Sequence, residues 1–279
     1  MKFGVLIFPA ESAIRPDELA VELEKREFES LFIPEHSHIP ASRATPWGGV
    51  EGAPPLPDQY WRSRGRFAAR AYSAAVTAHL RLATGITLVA QRDPIWTAKE
   101  VASLDHLSDG RLIFGIGYGW NKEEMAHHGV AYRDRRSLLR EKVLMMKSLW
   151  TDEEASFEGE HLRLEPSWAR PKPKQRPNPP ILMGAAAGPK TLADIVEFCD
   201  GWIPLGNRHD IVDTVSRVRR AVEEAGRDPD AFDVTAFAVK PDHIEELQRA
   251  GVDRAIFSVP PIGRDDVIPR LDRLASAIG

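Results

Sequence analysis

The chain has 279 residues, 43% of them hydrophobic and 28% charged, and a formal net charge of −4. That composition is ordinary for a globular protein in water, and one α/β barrel of about 250 residues would account for the length without a second domain. Mild acidity with no long basic run speaks against a nucleic-acid partner. The single cysteine, Cys199, excludes an intramolecular disulfide, and its apolar neighbours favour a packed residue over a reactive thiol.

The first apolar run, residues 3–8, is too short to cross a bilayer, and no small-residue cleavage site follows it. It is expected to be a buried first strand, with the cytoplasm as the location and no membrane partner. A helical pattern follows at 16–28, then a second strand at 30–34 and a helix at 66–78. The third pair is 82–90 and 94–107, with Pro94 suited to a first helical turn; the fourth is 112–117 and 133–150. After an interruption come 181–184 with 191–198, 202–205 with 211–225, 232–239 with 243–250, and 254–259 with 267–278. The strands are continuous apolar runs, as required when a parallel sheet is covered on both faces. Eight such units close into a (β/α)8 TIM barrel more naturally than they form an open sheet. One domain over residues 1–279 is the expectation.

Two stretches break the alternation. Residues 39–64, rich in proline and glycine, leave the end of the second strand, where barrel active sites are built, and are the candidate lid. Residues 151–180, after the fourth helix, begin with a hairpin-like segment at 156–164, expected at the same rim.

Three constellations carry candidate chemistry. Glu35-His36 ends the second strand; a carboxylate beside an imidazole suits proton handling, and a hydrogen-bonded strand terminus fits the position equally. Residues 115–121 (Gly-Ile-Gly-Tyr-Gly-Trp-Asn) run out of the fourth strand. Their alternating glycines permit close backbone approach to a ligand, and Tyr118 or Trp120 can flank a flat ring. Trp120 stands where a dinucleotide fingerprint needs its last glycine. Residues 184–191, small and leading into a helix, form an anion pocket or a tight turn. His127 and His128 are adjacent and diverge on a helix; with no metal-binding spacing elsewhere, no metal is expected. No nucleophile elbow is present.

Taken together, Phe3-Gly4, Glu35-His36, residues 82–86, residues 94–121, residues 180–184 and residues 200–202 resemble the luciferase-like monooxygenase superfamily, in its coenzyme F420-dependent oxidoreductase branch. The resemblance implies a ring bound at the C-terminal mouth over a bulge at Gly85-Ile86. It also implies cofactor contacts from Glu35, His36, Gly117, Tyr118 and Asn121, and phosphate contacts at Ala187 and Gly188. His36 matches the family's active-site histidine, expected to exchange a proton while Glu35 orients it. Sugar-phosphate dehydrogenases of the branch carry glutamate where Tyr118 stands and tryptophan near Pro40, so such a substrate is disfavoured. Arg43, Arg62, Arg64 and Arg66 are candidates for the anionic tail of F420, or a solvated basic face.

The expected function is therefore F420-dependent hydride transfer to or from a small organic substrate, by a homodimer as the resemblance implies. The nearest alternative keeps the fold and uses FMN with oxygen. A non-catalytic binding barrel, and a lyase using Lys240 as a Schiff-base lysine, are the alternatives of other classes.

Overall fold

The computed structural model describes residues 1–204 and 211–278. Its strands are β1 (Lys2–Leu6), β2 (Ser30–Ile33), β3 (Arg81–Thr84), β4 (Leu112–Ile116), β5 (Ala155–Glu158), β6 (Arg163–Ser167), β7 (Ile181–Met183), β8 (Gly201–Trp202), β9 (Asp233–Phe237) and β10 (Arg254–Ser258). Around them run α1 (Pro16–Glu24), α2 (Gln59–Arg62), α3 (Arg66–Ala74), α4 (Pro94–Leu107), α5 (Lys122–His127), α6 (Arg135–Thr151), α7 (Pro189–Phe198), α8 (Ile211–Glu224), α9 (Ile244–Arg249) and α10 (Arg264–Ser276). All strands except β5 and β6 form a closed parallel barrel in the order β1-β10-β9-β8-β7-β4-β3-β2. Closure is made by β1, which pairs with β2 on one side (Val5 opposite Leu31) and β10 on the other (Val5 opposite Phe257).

The continuous apolar runs have a two-sided explanation. Alternate residues point to opposite faces of a strand. Phe32, Ala83, Ile113, Leu182, Ile203, Phe237 and Ile256 make one buried cluster inside the barrel, and Leu6 and Ile86 pack against it. Phe32 and Phe237 meet edge to face at 5.1 Å across it. Their strand neighbours, such as Leu31, Phe114, Ala236 and Phe257, belong to the larger core shared with the helices.

The floor of the barrel is electrostatic. Arg254, at the start of β10 and only 1% exposed, donates to both oxygens of Glu29, both of Asp233 and the hydroxyl of Thr235. The mouth lies at the opposite end, where α3 sends the fully buried Arg70 to the carbonyls of Ala83 and Ile33. Burial pulls that guanidinium down to about 9.

The elements expected from sequence are present, with several differences, among them the short helix α2 inside the 39–64 stretch. The third strand is shorter than expected and ends at Thr84; after the Gly85-Ile86 peptide, which is cis, Thr87 rejoins the ladder as a single bridge to Ile116, so residues 85–86 interrupt the pairing as the expected bulge would. Between β4 and α6 lies α5, which periodicity missed because it is six residues long. The sixth strand is Gly201–Trp202, and Leu205, its expected end, lies outside the described residues. Finally, the β5–β6 hairpin does form, with its turn capped by Glu141, which accepts the amides of Glu160, His161 and Leu162. Its two ends join the C-terminus of α6 and the N-terminus of β7 at the floor, but its turn runs back along α6, where His161 lies 2.9 Å from Ser137 in the first turn of that helix.

Candidate active site

β2, β3, β4 and β7 are parallel, so the segments following them emerge together at one end. Glu35, His36, Gly85, Ile86, Gly117, Tyr118, Asn121, Ala187 and Gly188 all lie on those segments.

His36 is the centre of the arrangement. Its side chain is 6% exposed, and its Nδ1 donates to Oε2 of Glu124 at 2.7 Å. Burial pushes the Glu124 carboxyl up, but bonds from His36, the Ser37 amide (3.0 Å) and Gln91 Nε2 (3.0 Å) outweigh it, leaving the group below the usual carboxylate range and ionised. An ionised acceptor keeps the proton on Nδ1, so Nε2 is left for chemistry. Tyr60 and Trp120 flank the ring, with centroids 5.0 and 5.7 Å away.

The expected partner of His36, Glu35, is committed elsewhere: its carboxylate accepts the amide of Leu88 at 2.8 Å and Nη1 of Arg92 at 3.0 Å. Successive residues of an extended chain diverge, and Glu35-His36 follows that rule. Glu35 braces the turn after β3, and a carboxylate 88 residues along the chain positions the imidazole. Sequence reasoning passed over Glu124. Asn121, Lys122, Glu123 and Glu124 read as a helix start of capping-box type, and Asn121 Oδ1 does cap the Glu124 amide at 3.3 Å. The Glu124 side chain, however, turns away to His36 instead of returning to the cap.

The glycine run has a packing explanation. A Cβ at Gly115 would lie 2.1 Å from the Thr84 carbonyl oxygen, and one at Gly119, at φ +78°, 2.4 Å from Met125. At Gly117 it would lie 2.4 Å from Cδ1 of Ile86, and at Gly184 2.5 Å from Cγ2 of the same residue. Two glycines thus clasp Ile86 and hold it on top of the barrel interior as an apolar bed.

Around this bed sit buried polar atoms without a hydrogen-bond partner in the structure: Asn121 Nδ2, Gln91 Oε1 and Thr87 Oγ1. Buried polar groups are normally satisfied, and a donor and acceptors left open beside an apolar bed fit the edge and face of a flat heterocycle. On the far side, Tyr118 donates to Asp194 of α7 and Arg136 lies 3.8 Å over its ring. Burial, then the bond to Asp194, pushes this phenol well up, so it stays neutral.

Gly188 caps α7, but its amide is used by the Ala186 carbonyl, and the Ala187 carbonyl by Arg217. A phosphate here would use the next amides of the helix, with Arg136 adjacent at Thr191 (3.4 Å); sequence reasoning did not single out Arg136.

The 39–64 segment crosses towards the mouth. Glu123 accepts the amides of Ala44 (3.0 Å) and Thr45 (3.1 Å), and Tyr60 packs on Phe8, with Trp47 edge-on. Burial opposes ionisation of Glu123, yet hydrogen bonds from Thr45 and Ala44 pull it down to about 2. The arginines expected for an anionic tail are largely engaged. Arg64 donates to the carbonyls of Ala10 and Glu11, Arg62 pairs with Glu11, and Arg43 lies over Trp120. The Arg66 side chain lies outside what the structure describes. Lys240 is exposed at the start of the turn Pro241–His243, beyond β9.

The profile of the luciferase-like monooxygenase family matches residues 1–254. The chain belongs to that family. An uncharacterized protein of Mycobacterium tuberculosis is 38% identical over the whole chain and 99% of its own length. An F420-dependent glucose-6-phosphate dehydrogenase of Kineococcus radiotolerans is 30% identical over 78% of the chain and 61% of that protein. Among solved structures, the coenzyme F420 dependent tetrahydromethanopterin reductase of Methanopyrus kandleri superposes with a TM-score of 0.75 at 20% identity, covering 99% of this chain and 97% of that one. The monooxygenase RslO1 of Streptomyces bottropensis gives 0.72 at 25% identity, covering 100% and 80%. Luciferase-like relatives thus include both F420-dependent oxidoreductases and monooxygenases. No helix among the described residues is long and apolar enough to cross a membrane.

Proposed function

We propose that this luciferase-like protein is an F420-dependent oxidoreductase acting on a small organic substrate, with His36 as its proton-exchanging residue. The observation that carries the reading is the His36–Glu124 pair at 2.7 Å, an imidazole held by a buried carboxylate in an aromatic-walled mouth. A bound 5-deazaflavin would supply hydride transfer at its C5.

Ile86 offers the bed for the flat ring, Asn121 and Gln91 offer unpartnered polar atoms to its edge, and the N-terminus of α7 with Arg136 offers an anion site for its tail. Glu124 fixes the imidazole so that Nε2 gives or takes the proton. Tyr60 and Trp120 shape the substrate space, where sheltering by Trp47 limits water. Tyr118, tied to Asp194, does not provide the carboxylate carried at that position by the sugar-phosphate dehydrogenases, so the substrate is of another class.

The second reading, reduced FMN with oxygen, is supported by the likeness to the Streptomyces monooxygenase. Titration of the purified protein with F420 and with FMN, followed by fluorescence, separates the two. Saturable F420 binding is expected; tight FMN binding with no response to F420 overturns the reading. His36→Ala is expected to abolish most turnover while leaving cofactor affinity near that of the parent, and unchanged turnover removes His36 from the chemistry. A homodimer is a separate proposal, read from the molar mass in solution.

A further inference from the structure

Four of the chain's nine histidines, His36, His38, His127 and His128, gather around one buried carboxylate, Glu124. Only His36 has a part in the chemistry proposed above. Glu124 lies in the first turn of α5 and His128 is its C-cap, four residues on, a spacing that brings side chains to one face of a helix. His38 comes from the segment after β2, so no local spacing in the sequence announces the group.

The three share a common centre. Ser37 Oγ lies 2.9 Å from His38 Nδ1, 2.7 Å from His128 Nε2 and 3.2 Å from Glu124 Oε1. One ligand atom from each of His38, Glu124 and His128 falls within 4.8 Å of the others. A zinc-class ion bonds imidazole nitrogen and carboxylate oxygen at roughly 2.0–2.2 Å, so each ligand would move inward by about 1 Å or less to hold an ion at that centre, with the Ser37 hydroxyl turning aside.

What separates this group from a chance cluster is the shell behind it. A ligating histidine normally donates its second ring N–H to an acceptor, and a ligating carboxylate is itself hydrogen-bonded. With Nδ1 of His38 facing the centre, its Nε2 meets Nδ1 of His127 at 2.8 Å, with the two rings stacked at 5.1 Å. With Oε1 of Glu124 facing the centre, its Oε2 is held by His36 and its Oε1 by the Ser37 amide and Gln91. Three protein ligands leave a further position for water, and Ser37 and His128 are exposed, which provides the entry path. The other such group among the described residues, Glu141 with Glu160 and His161, has one imidazole where this one has two, and its Glu160 is exposed at the hairpin turn.

We infer that His38, Glu124 and His128 form a binding site for a divalent first-row transition-metal ion of the zinc class. The ion would share Glu124 with His36, so its occupancy would alter the carboxylate that positions the imidazole. The binding claim itself does not rest on the proposed redox function.

The test uses the full-length, untagged protein, stripped with a chelator and titrated with Co(II) while its visible absorption is followed. One equivalent is expected to raise the d–d bands of four- or five-coordinate Co(II), and one equivalent of Zn(II) to abolish them. His38→Gln and His128→Gln, each checked for folding by circular dichroism, should lose that step. Ser37→Ala should keep it, since the hydroxyl is no ligand, and His127→Gln should weaken affinity by roughly 10–100-fold. A titration with no stoichiometric step overturns the site, as does a step that survives the His38 and His128 substitutions. If one of these variants does not fold, the other carries the comparison.

Discussion

Gly117→Ala is the most direct probe of the bed on which the proposed cofactor would lie. Gly117 has no positive φ, so alanine meets no backbone strain and the whole effect is spatial. The new Cβ would stand 2.4 Å from Ile86 Cδ1 and 3.0 Å from the Gly184 carbonyl oxygen. The carbonyl cannot yield easily, because the Gly184 amide is bonded to Ile116 at 2.7 Å. Ile86 must give way instead, by about 1 Å to reach the ~3.5 Å at which carbon atoms attract. It is half-buried, and the barrel plug beneath it is closed, so its way out is up into the mouth. Overpacking costs about 1–3 kcal/mol, and removing a glycine from the unfolded chain returns about 0.4–1 kcal/mol. A net loss of ~1–2 kcal/mol in urea unfolding is expected, with cofactor affinity weakened about tenfold, equivalent to ~1.4 kcal/mol. Ile86→Val removes the one atom in closest conflict. Gly117→Ala should therefore cost much less in the Ile86→Val background, and this coupling is what a double-mutant cycle reads. Equal costs in both backgrounds would refute the clasp.

Arg254→Met leaves Glu29 and Asp233 facing each other at the floor without their cation, and should cost ~3–5 kcal/mol in equilibrium unfolding; adding Glu29→Gln should recover part of the loss. Glu22 is drawn down to about 2 by hydrogen bonds from Arg26 and Arg264. Because its folded form titrates below its unfolded form, its stabilisation is complete above about pH 4.5 and disappears as the pH falls towards 2. Glu22→Gln should cost ~1–2 kcal/mol at neutral pH, after allowing for the half-exposed Arg264, and the gap to the parent should narrow through that window. Glu123→Gln should weaken the anchor of the 39–64 segment, read as faster hydrogen exchange at the Ala44 and Thr45 amides with little change in the barrel strands.

The barrel was legible because each of its strands is buried on both sides, which writes an unbroken apolar run where a one-sided sheet would alternate. The place of His36 followed from the same logic, since it comes straight after β2. Its partner did not. Glu124 looks like the third residue of a helix cap, and nothing local reveals that its carboxylate turns to a strand end far away in the chain. The glycines at the end of β4 and just beyond it have a second reason to be there that the sequence does not show. They have the look of a loop cleared for a ligand, yet the space at Gly115, Gly117 and Gly119 is taken by Thr84, Ile86 and Met125. Side-chain adjacency in the sequence likewise paired Glu35 with His36 and set His127 against His128, whereas the fold joins His36 to Glu124 and His38 to His128 through Ser37.

The ladder between β1 and β10 joins segments about 250 residues apart, with Lys2 opposite Arg254. On a ribosome, β1 is therefore made long before its second neighbour exists. Until β10 arrives, β1 and β9 each present an unpaired edge, the kind of surface that recruits strands from other chains. Arg254 arrives with that last strand and brings the charge that Glu29 and Asp233 have been waiting for. Sealing the barrel and neutralising its floor are thus one late event, and a chain ending before residue 254 should self-associate.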